Sequence, residues 1–469
     1  MTHWETGIRF ASLFGAVCFV LGLHLMNSPA TARRGNELSA FGMVVAVAAV
    51  LLNVGHGDDG AVMTGTRWAV LLAGAAVGGA WGLYAARTVR MTSMPQLVSL
   101  FNAVGGGAAA LIAIAEYDIH THPSAGTATA TVLDVVIGGV TFTGSVLAAL
   151  KLQGHLSHPV AFPGARLASG LFVAAAAAGS GWVIAGADRK LVLLAVVVAA
   201  MIFGVLMVLP IGGADMPVVI SLLNAFTGTA VAMAGFVLSN ATLTIAGALV
   251  GASGSILTKL MADAMNRSVV NIIAGGFGTG DAGADTAGGA SGPVKAIAVD
   301  DAALQLAYAS KVIIVPGYGL AAAQAQHECR ELAEVLESHG VDVSYAIHPV
   351  AGRMPGHMNV LLAEANVPYD QLKEMEEINS EFDRTDVALV IGANDVTNPA
   401  ARRPGNAVSG MPILDVDHAK SIIVIKRSMA SGYAGIDNEL YSDPKTSMFF
   451  ADAKQGLAAL VAAAKTLVA

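Results

Sequence analysis

The sequence predicts two unlike parts in one chain: a polytopic α-helical membrane domain of about nine spans, then a C-terminal α/β doubly wound domain. Three observations lead there. Apolar runs of helical length recur from the N-terminus to about residue 261. The 469 residues are 55% hydrophobic and only 13% charged, with a mean hydropathy of +0.63. Soluble domains carry roughly a quarter charged residues, so much of this chain must face lipid. Beyond Arg267 the long runs stop, and short strand-like and helix-like patterns alternate.

A helix needs roughly 20 apolar residues to cross the hydrocarbon core. Apolar runs of helical length lie near 8–26, 40–55, 68–86, 95–116, 131–150, 167–185, 190–210, 217–237 and 240–261. The first resembles a secretion signal, with Ser28-Pro29-Ala30 as a cleavage-like site. It lacks a basic start and precedes Arg33 and Arg34, so it reads as a retained span. Gly74-x-x-x-Gly78, Gly78-x-x-x-Gly82 and Gly247-x-x-x-Gly251 predict close helix packing.

Basic residues fall in alternate connections: Arg33 and Arg34, Arg87 and Arg90, Lys151 and Arg166, then Arg267. The other loops hold Asp58, Asp59 and Asp118, with Arg67, Arg189 and Lys190 as their clear basic residues. The positive-inside rule then places the C-terminal part in the cytoplasm and the N-terminus outside, which requires an odd span count. Net charge −8 and a pI near 5.8 argue against nucleic acid as a partner. Cys18 and Cys329 give no disulfide framework and fit a reducing compartment.

The expected domains are 1–262 in the membrane, a linker over 263–293 and a soluble domain over 294–469. Residues 272–293 are rich in Gly, Ala, Ser and Asp without apolar periodicity. Gly276-Phe277-Gly278-Thr279-Gly280 has no helix pattern after it and reads as a hinge. In the soluble part, strands are predicted over 311–315, 343–347, 387–391, 412–415 and 422–426. Helices are predicted over 301–309, 320–339, 356–365, 370–377 and 451–467.

Strand 311–315 runs into Pro316-Gly317-Tyr318-Gly319-Leu320-Ala321-Ala322-Ala323 and a helix-forming stretch. A glycine turn between strand and helix marks a Rossmann-like dinucleotide site. Gly317 permits the bend, Gly319 lets backbone approach a pyrophosphate, and Ala322 or Ala323 takes the third small position. The helix start offers amide donors; a plain strand–helix turn is the other reading. An NAD site usually ends its second strand in an acid, but here the strand ends Ile347-His348-Pro349-Val350. Lys426-Arg427-Ser428 closes the last predicted strand and suits a 2′-phosphate, so NADP(H) is the better inference. The alternative is an ordinary basic strand end.

Two further loops leave strand ends. One starts at Gly392 and carries Asn394 and Asp395; the other spans Gly432-Tyr433-Ala434-Gly435, whose glycines suit a hinged lid. Asp395 has two readings, a proton-linked reporter of cofactor redox state or an Asx turn. No His–Asp or Cys–His pair sits at catalytic spacing, and no metal site is predicted. Hydride passing directly between two nicotinamides needs neither. With one credible dinucleotide site in the chain, the second redox partner must sit on another polypeptide.

These stretches, with Ile211-Gly212-Gly213-Ala214-Asp215-Met216-Pro217, Ala264-Met265-Asn266-Arg267-Ser268 and His348 to Gly356, resemble the β subunit of proton-translocating NAD(P)+ transhydrogenase. The similarity covers essentially the whole chain. It implies NADP(H) in this chain, NAD(H) on a partner α subunit, and a dimer of such heteromers in the bacterial inner membrane. It implies Si-Re-specific hydride transfer from NADH to NADP+ with inward proton flow, making NADPH. By motif match Gly317, Tyr318, Gly319, Val350, Ala351, Gly352 and Arg353 cradle the cofactor, which the family binds in reversed orientation. Asn394, Asp395, Lys426, Arg427, Ser428 and Tyr433 complete the site, and Met354, Gly392, Gly432, Asp452 and Ala453 fill out the candidate set. Asn394 and Asp395 stand as the catalytic, redox–proton coupling pair.

Polar groups among apolar spans are functional candidates because burying them is costly. Asn102, Ser145, Asp215, Asn224 and Arg267 qualify, and the resemblance places Asp215, Asn224, Ser145 and Arg267 in proton conduction or coupling. For Ser145 a hydroxyl bonded to its own helix is the plain alternative, and for Arg267 an interfacial anchor. Many relatives have a histidine where Asn102 stands, and an amide does not relay protons as imidazole does. His24, or a residue of a partner subunit, is the candidate replacement, with a structural role for His24 as the alternative. A channel or transporter gated by a nucleotide-binding domain is the rival class. It should carry a filter such as Thr-Val-Gly-Tyr-Gly, which this sequence lacks.

Overall fold

The computed structural model describes residues 3–56, 64–119, 124–156, 160, 163–185, 190–211, 215–265, 268–275, 294–352, 356–404, 406, 408–430, 432 and 434–468. The predicted hinge at 276–280 lies outside these residues. Two compact units form, Met1–Ile211 with Val219–Thr258, and Gly212–Val218 with Lys259–Ala469.

Among the described residues nine helices are long and apolar enough to cross a membrane. They are α1 His3–Leu25, α2 Pro29–His56, α3 Gly65–Thr88, α4 Met94–Ile119, α5 Ala125–Leu152, α6 Ala165–Ile184, α7 Lys190–Val208, α8 Met216–Val237 and α9 Ala241–Ala264. All nine fall on the predicted runs. Several are longer than their apolar stretch, as in α2, whose first turns hold Arg33, Arg34 and Glu37. Hydropathy marks only the part in hydrocarbon, while backbone hydrogen bonding carries the helix on into the polar interface.

Glycines set how closely the helices approach. A Cβ on Gly138 of α5 would lie 2.5 Å from the Gly106 carbonyl of α4, and one on Gly228 of α8 would lie 2.3 Å from the Gly251 amide of α9. Gly247 of α9 is as tight against α8, with Ala232 N 2.4 Å from its built Cβ. Gly74, Gly78 and Gly82 behave otherwise: a Cβ on any of them meets nothing within 4 Å, and no described α3 residue is buried. The packing predicted for that stripe is therefore not made among the described residues. Small residues permit close approach, but only where a partner helix is present. Lys151, in the last turn of α5, donates Nζ to the carbonyls of Val208 (3.1 Å), Leu209 and Ile211 (2.8 Å). A cation thus satisfies carbonyls that the end of α7 leaves open.

The second unit holds α10 Val269–Gly275, α11 Val299–Ala307, β1 Lys311–Pro316, α12 Tyr318–Ala323, α13 Gln326–Glu337, β2 Asp342–Ile347, α14 His357–Glu364, β3 Leu372–Glu374, α15 Met375–Ile378, β4 Val387–Ile391, β5 Ser421–Lys426, β6 Thr446–Phe450 and α16 Ala453–Val468. The six strands form a parallel sheet in the order β3-β2-β1-β4-β5-β6. This is the doubly wound arrangement, with its reversal of strand order between β1 and β4. β1, β4 and β5 are buried along nearly their whole length, as expected of parallel strands covered on both faces. Ile313, Val315, Ala388, Val390, Ile422, Val424, Phe382 and Met448 share the main core.

Four expectations need correction. Residues 412–415 form no strand; Ile413 and Leu414 are buried, but the segment bonds to Val396 and to the Asn379 side chain instead of a ladder. Its apolar character reports burial, not pairing. The helix expected over 370–377 begins as strand β3, where Leu372 pairs with Tyr345. The helix expected over 320–339 breaks at Gln324, which adopts φ +51°. Strand β6 was not expected at all, and it adds the outer rung beside β5.

Candidate functional site

Open parallel sheets bind ligands beyond the carboxyl ends of their strands, at the point where strand order reverses. The sequence candidates of the second unit fall on that edge. Gly317, Tyr318 and Gly319 follow β1; Val350, Ala351 and Gly352 follow β2; Gly392, Asn394 and Asp395 follow β4. Lys426 ends β5, with Arg427, Ser428 and Gly432 after it, while Asp452 and Ala453 follow β6. Arg353, Met354 and Tyr433 lie outside the described residues, as does Arg267.

At the centre, the β1 turn and the β4 loop touch backbone to backbone. Gly317 N donates to Ile391 O at 2.9 Å and Gly319 N to Gly392 O at 3.0 Å. A Cβ on Gly317 would sit 2.4 Å from Ala393 Cα, and one on Gly319 would sit 2.6 Å from Gly392 Cα. Gly392 itself holds φ +64°. The glycines bring the two loops together, and the Gly317 and Gly319 amides are spent on that contact. Gly317 thus sits at the bend expected of it, and Gly319 also sets the approach of the β4 loop. The helix α12 that follows has only six residues.

The β2 loop closes the neighbouring side. His348 is buried, its Nε2 lies 2.9 Å from Pro412 O, and Val350 N donates to its Nδ1. Burial pushes its pKa down to about 4, against the opposing pull of the Pro412 carbonyl and Glu376. Gly352 has φ +104°, and a Cβ there would collide with the ring of His357, which lies 6.5 Å from the Tyr318 ring between centroids.

On the other side, Ala434 N donates to Asp395 Oδ2 at 3.0 Å, and a Cβ on Gly432 would lie 2.4 Å from Asp395 Oδ1. Gly432 and Ala434 thus lie directly against Asn394 and Asp395. Both polar atoms of the Asn394 amide are buried without a hydrogen-bond partner among the described residues, an arrangement that calls for a ligand, a water or an ion. Lys426 Nζ donates to Ala430 O and stands 4.7 Å from the centre of the Tyr441 ring. Burial lowers the Lys426 pKa, while Asp395 and Asp437 draw it back up. Arg427 and Ser428 are exposed, available to an anion. Ala453 is buried, and Asp452 caps the first turn of α16 by accepting from Lys454 N.

Two residues here escaped the sequence reading. Asn438 donates Nδ2 to Asn394 O at 2.9 Å, and Tyr441 donates its hydroxyl to Ala393 O at 3.1 Å. They hold the β4 loop from behind, and nothing in their local sequence signals it. Donors, a basic group and a glycine cradle converge on one edge, which suits a phosphorylated dinucleotide.

In the membrane unit, Asn102 is buried and joins two helices: Nδ2 donates to Ile220 O at 3.3 Å, and its carbonyl accepts from Thr227 Oγ1. Asn224 sits half-buried between those two α8 positions. Ser145 is fully buried, and its Oγ has no partner, so the bond to its own helix is not made; its carbonyl accepts from Ser99 Oγ at 2.8 Å. Gly144 packs against Leu223 of α8, so Asn102, Ser145 and Asn224 lie at one level of α4, α5 and α8. His24 is exposed in the last turn of α1, and Asp215 is half-buried in the turn before α8. Cys18 and Cys329 are both buried and free. No group of metal-ligating side chains occurs among the described residues.

Residues 8–463 match the family described as NAD(P) transhydrogenase beta subunit. Two proteins described as NAD(P) transhydrogenase subunit beta, both from Rhodospirillum rubrum, are each 48% identical to the chain over 467 residues. Each match covers 97% of this chain and 98% of the relative.

Proposed function

The chain belongs to the NAD(P) transhydrogenase β-subunit family, and from that premise we propose that it binds NADP(H) and couples hydride transfer to proton translocation. The donor is NADH on a partner α subunit, the acceptor is NADP+ on this chain, and protons move inward. The transfer is of the Si-Re-specific type, and the working assembly is a dimer of heteromers in a bacterial inner membrane. Residues 1–262 conduct protons, 263–293 link, and 294–469 hold the cofactor on the cytoplasmic side, as the alternation of basic loops supports.

The observation that carries this reading is the unsatisfied Asn394 amide beside Asp395, at the switch point of the sheet and within the same rim as Lys426. When bound, NADP(H) supplies the nicotinamide that accepts or gives hydride. Lys426, Arg427 and Ser428 would hold the 2′-phosphate, while Gly317, Tyr318, Gly319, Val350, Ala351, Gly352, Arg353 and Met354 would form the cradle. Gly432 and Tyr433, with Gly392, Asp452 and Ala453, would complete the site. Asn394 donates and accepts at the ligand, and Asp395 changes its proton occupancy with cofactor state. Asn102, Ser145, Asp215, Asn224, Arg267 and His24 are the proton-path candidates. A cofactor that binds two arrangements of the protein unequally is what biases the membrane domain.

Membrane vesicles containing this chain and its α partner provide the test. NADPH formation from NADH should accelerate when a proton gradient is imposed and slow when a protonophore collapses it. A rate indifferent to the gradient would remove the coupling, and a gated channel would conduct without forming NADPH.

A further inference from the structure

Asp134 lies in α5, the membrane helix with the largest buried share. It is wholly inaccessible, and neither carboxylate oxygen has a hydrogen-bond partner among the described residues. Leaving a carboxyl group unpaired in an apolar interior is among the costliest arrangements a protein keeps. Such a group must hold a proton, meet water or meet a cation.

Its surroundings favour the proton. The other ionisable side chains of α4 to α8 sit in terminal turns: Glu116, Tyr117 and Asp118 on α4, Lys151 on α5, Arg166 on α6 and Lys190 on α7, while α8 has none. Asp118 is already paired with Lys190. No described cation therefore lies within the spans beside Asp134.

Asp134, Gly138, Thr141 and Ser145 are spaced four, three and four residues apart, which puts them on one helix face. That face meets α4: a Cβ on Gly138 would lie 2.9 Å from Ala110 Cβ, and one on Gly106 would lie 2.8 Å from Thr141 Cβ. Ser99 then bonds the Ser145 carbonyl. Asp134 and Ser145 are about 16 Å apart along the axis, half of a hydrocarbon core of about 30 Å. Ser145 Oγ is also without a partner, and so is the buried Tyr117 hydroxyl of α4, in the cluster that contains Val132 and Val135. Between the Gln96–Leu152 bond at one end of the α4–α5 seam and Tyr117 at the other, Ser145, Asp134 and Tyr117 follow one another as buried groups without a hydrogen-bond partner among the described residues.

We propose that Asp134 is a proton-carrying group of the translocation path, in the seam that runs between Tyr117 and Ser145. A proton entering from one side bonds to the Asp134 carboxylate, and the same O–H bond breaks as the proton leaves toward the other side. No electrons move. Asn102, an amide on the facing helix, does not exchange protons in this way near neutral pH. The proposal rests on the reading of this chain as a proton-translocating subunit.

The test uses vesicles of the full chain with its α partner. Asp134→Asn keeps the shape and removes the exchangeable proton, and should cut gradient-driven stimulation of NADPH formation by about a hundredfold. Asp134→Glu should restore most of it. Cofactor binding to the soluble domain should be unaltered in both. In the unmodified protein, dicyclohexylcarbodiimide, which attacks carboxyl groups in apolar surroundings, should label Asp134 as gradient response is lost, which decides the matter if Asp134→Asn fails to assemble. An Asp134→Asn chain that responds like the parent overturns the proposal. So does loss of response with the label on another carboxyl group. A parent that forms NADPH without any gradient response overturns the functional reading itself, and Asp134 with it.

Discussion

His348 illustrates how a single buried ring ties stability to pH. Its folded pKa of about 4 lies below the ordinary 6.5, so the unfolded chain takes up a proton first as pH falls. The stabilisation is complete above about pH 6.5 and is lost progressively on the way down to about 4. Between pH 7 and pH 5 the loss should be about 2 kcal/mol. Urea titrations at the two pH values should show it, and His348→Gln should flatten the difference. Lys426 and Arg427 make a second residue-scale prediction. Replacing both by neutral side chains should weaken NADP(H) by roughly a hundredfold while leaving NAD(H) nearly unchanged, since a charge-assisted bond to phosphate is the interaction removed. Equal NADP(H) affinity in the variant and the parent, by fluorescence titration, would withdraw the assignment.

Among the elements, the two glycine stripes should answer substitution in opposite ways. Gly138→Leu forces α4 and α5 apart, because even its Cβ would stand 2.5 Å from the Gly106 carbonyl. A loss of about 2–3 kcal/mol is expected, read as a lower melting temperature of the detergent-solubilised chain. Gly78→Ala on α3 meets nothing within 4 Å and should leave that temperature unchanged or slightly higher. Legibility differed between elements for physical reasons. The spans announce themselves because surfaces that face lipid must be apolar, and strands β1, β4 and β5 because burial on both faces leaves continuous apolar runs. Strand β3, three residues at the sheet edge with Lys373 and Glu374, has no such run. The Gln324 break is invisible because glutamine is not a residue that advertises positive φ.

For the whole molecule, the division into a helical membrane unit and a parallel-sheet unit was legible from hydropathy and from one glycine turn. The edge on which the candidate residues gather was legible too, because in a parallel sheet the loops leaving the carboxyl ends of the strands share one side. What supports that edge from behind was not: Asn438 and Tyr441 act through contacts 44 and 48 residues distant in sequence. Asp134 is a different case, since a carboxylate inside an apolar run was visible in the sequence but does not figure among the sequence-derived candidates.

The backbone seam between Gly317–Gly319 and Gly392–Ala393 leaves no side chain to act as a cushion. Two segments interlocked in this way share one position, so whatever presses on the first turn is felt at once by Asn394 and Asp395. A substitution that shifts either segment therefore has to be matched by the other.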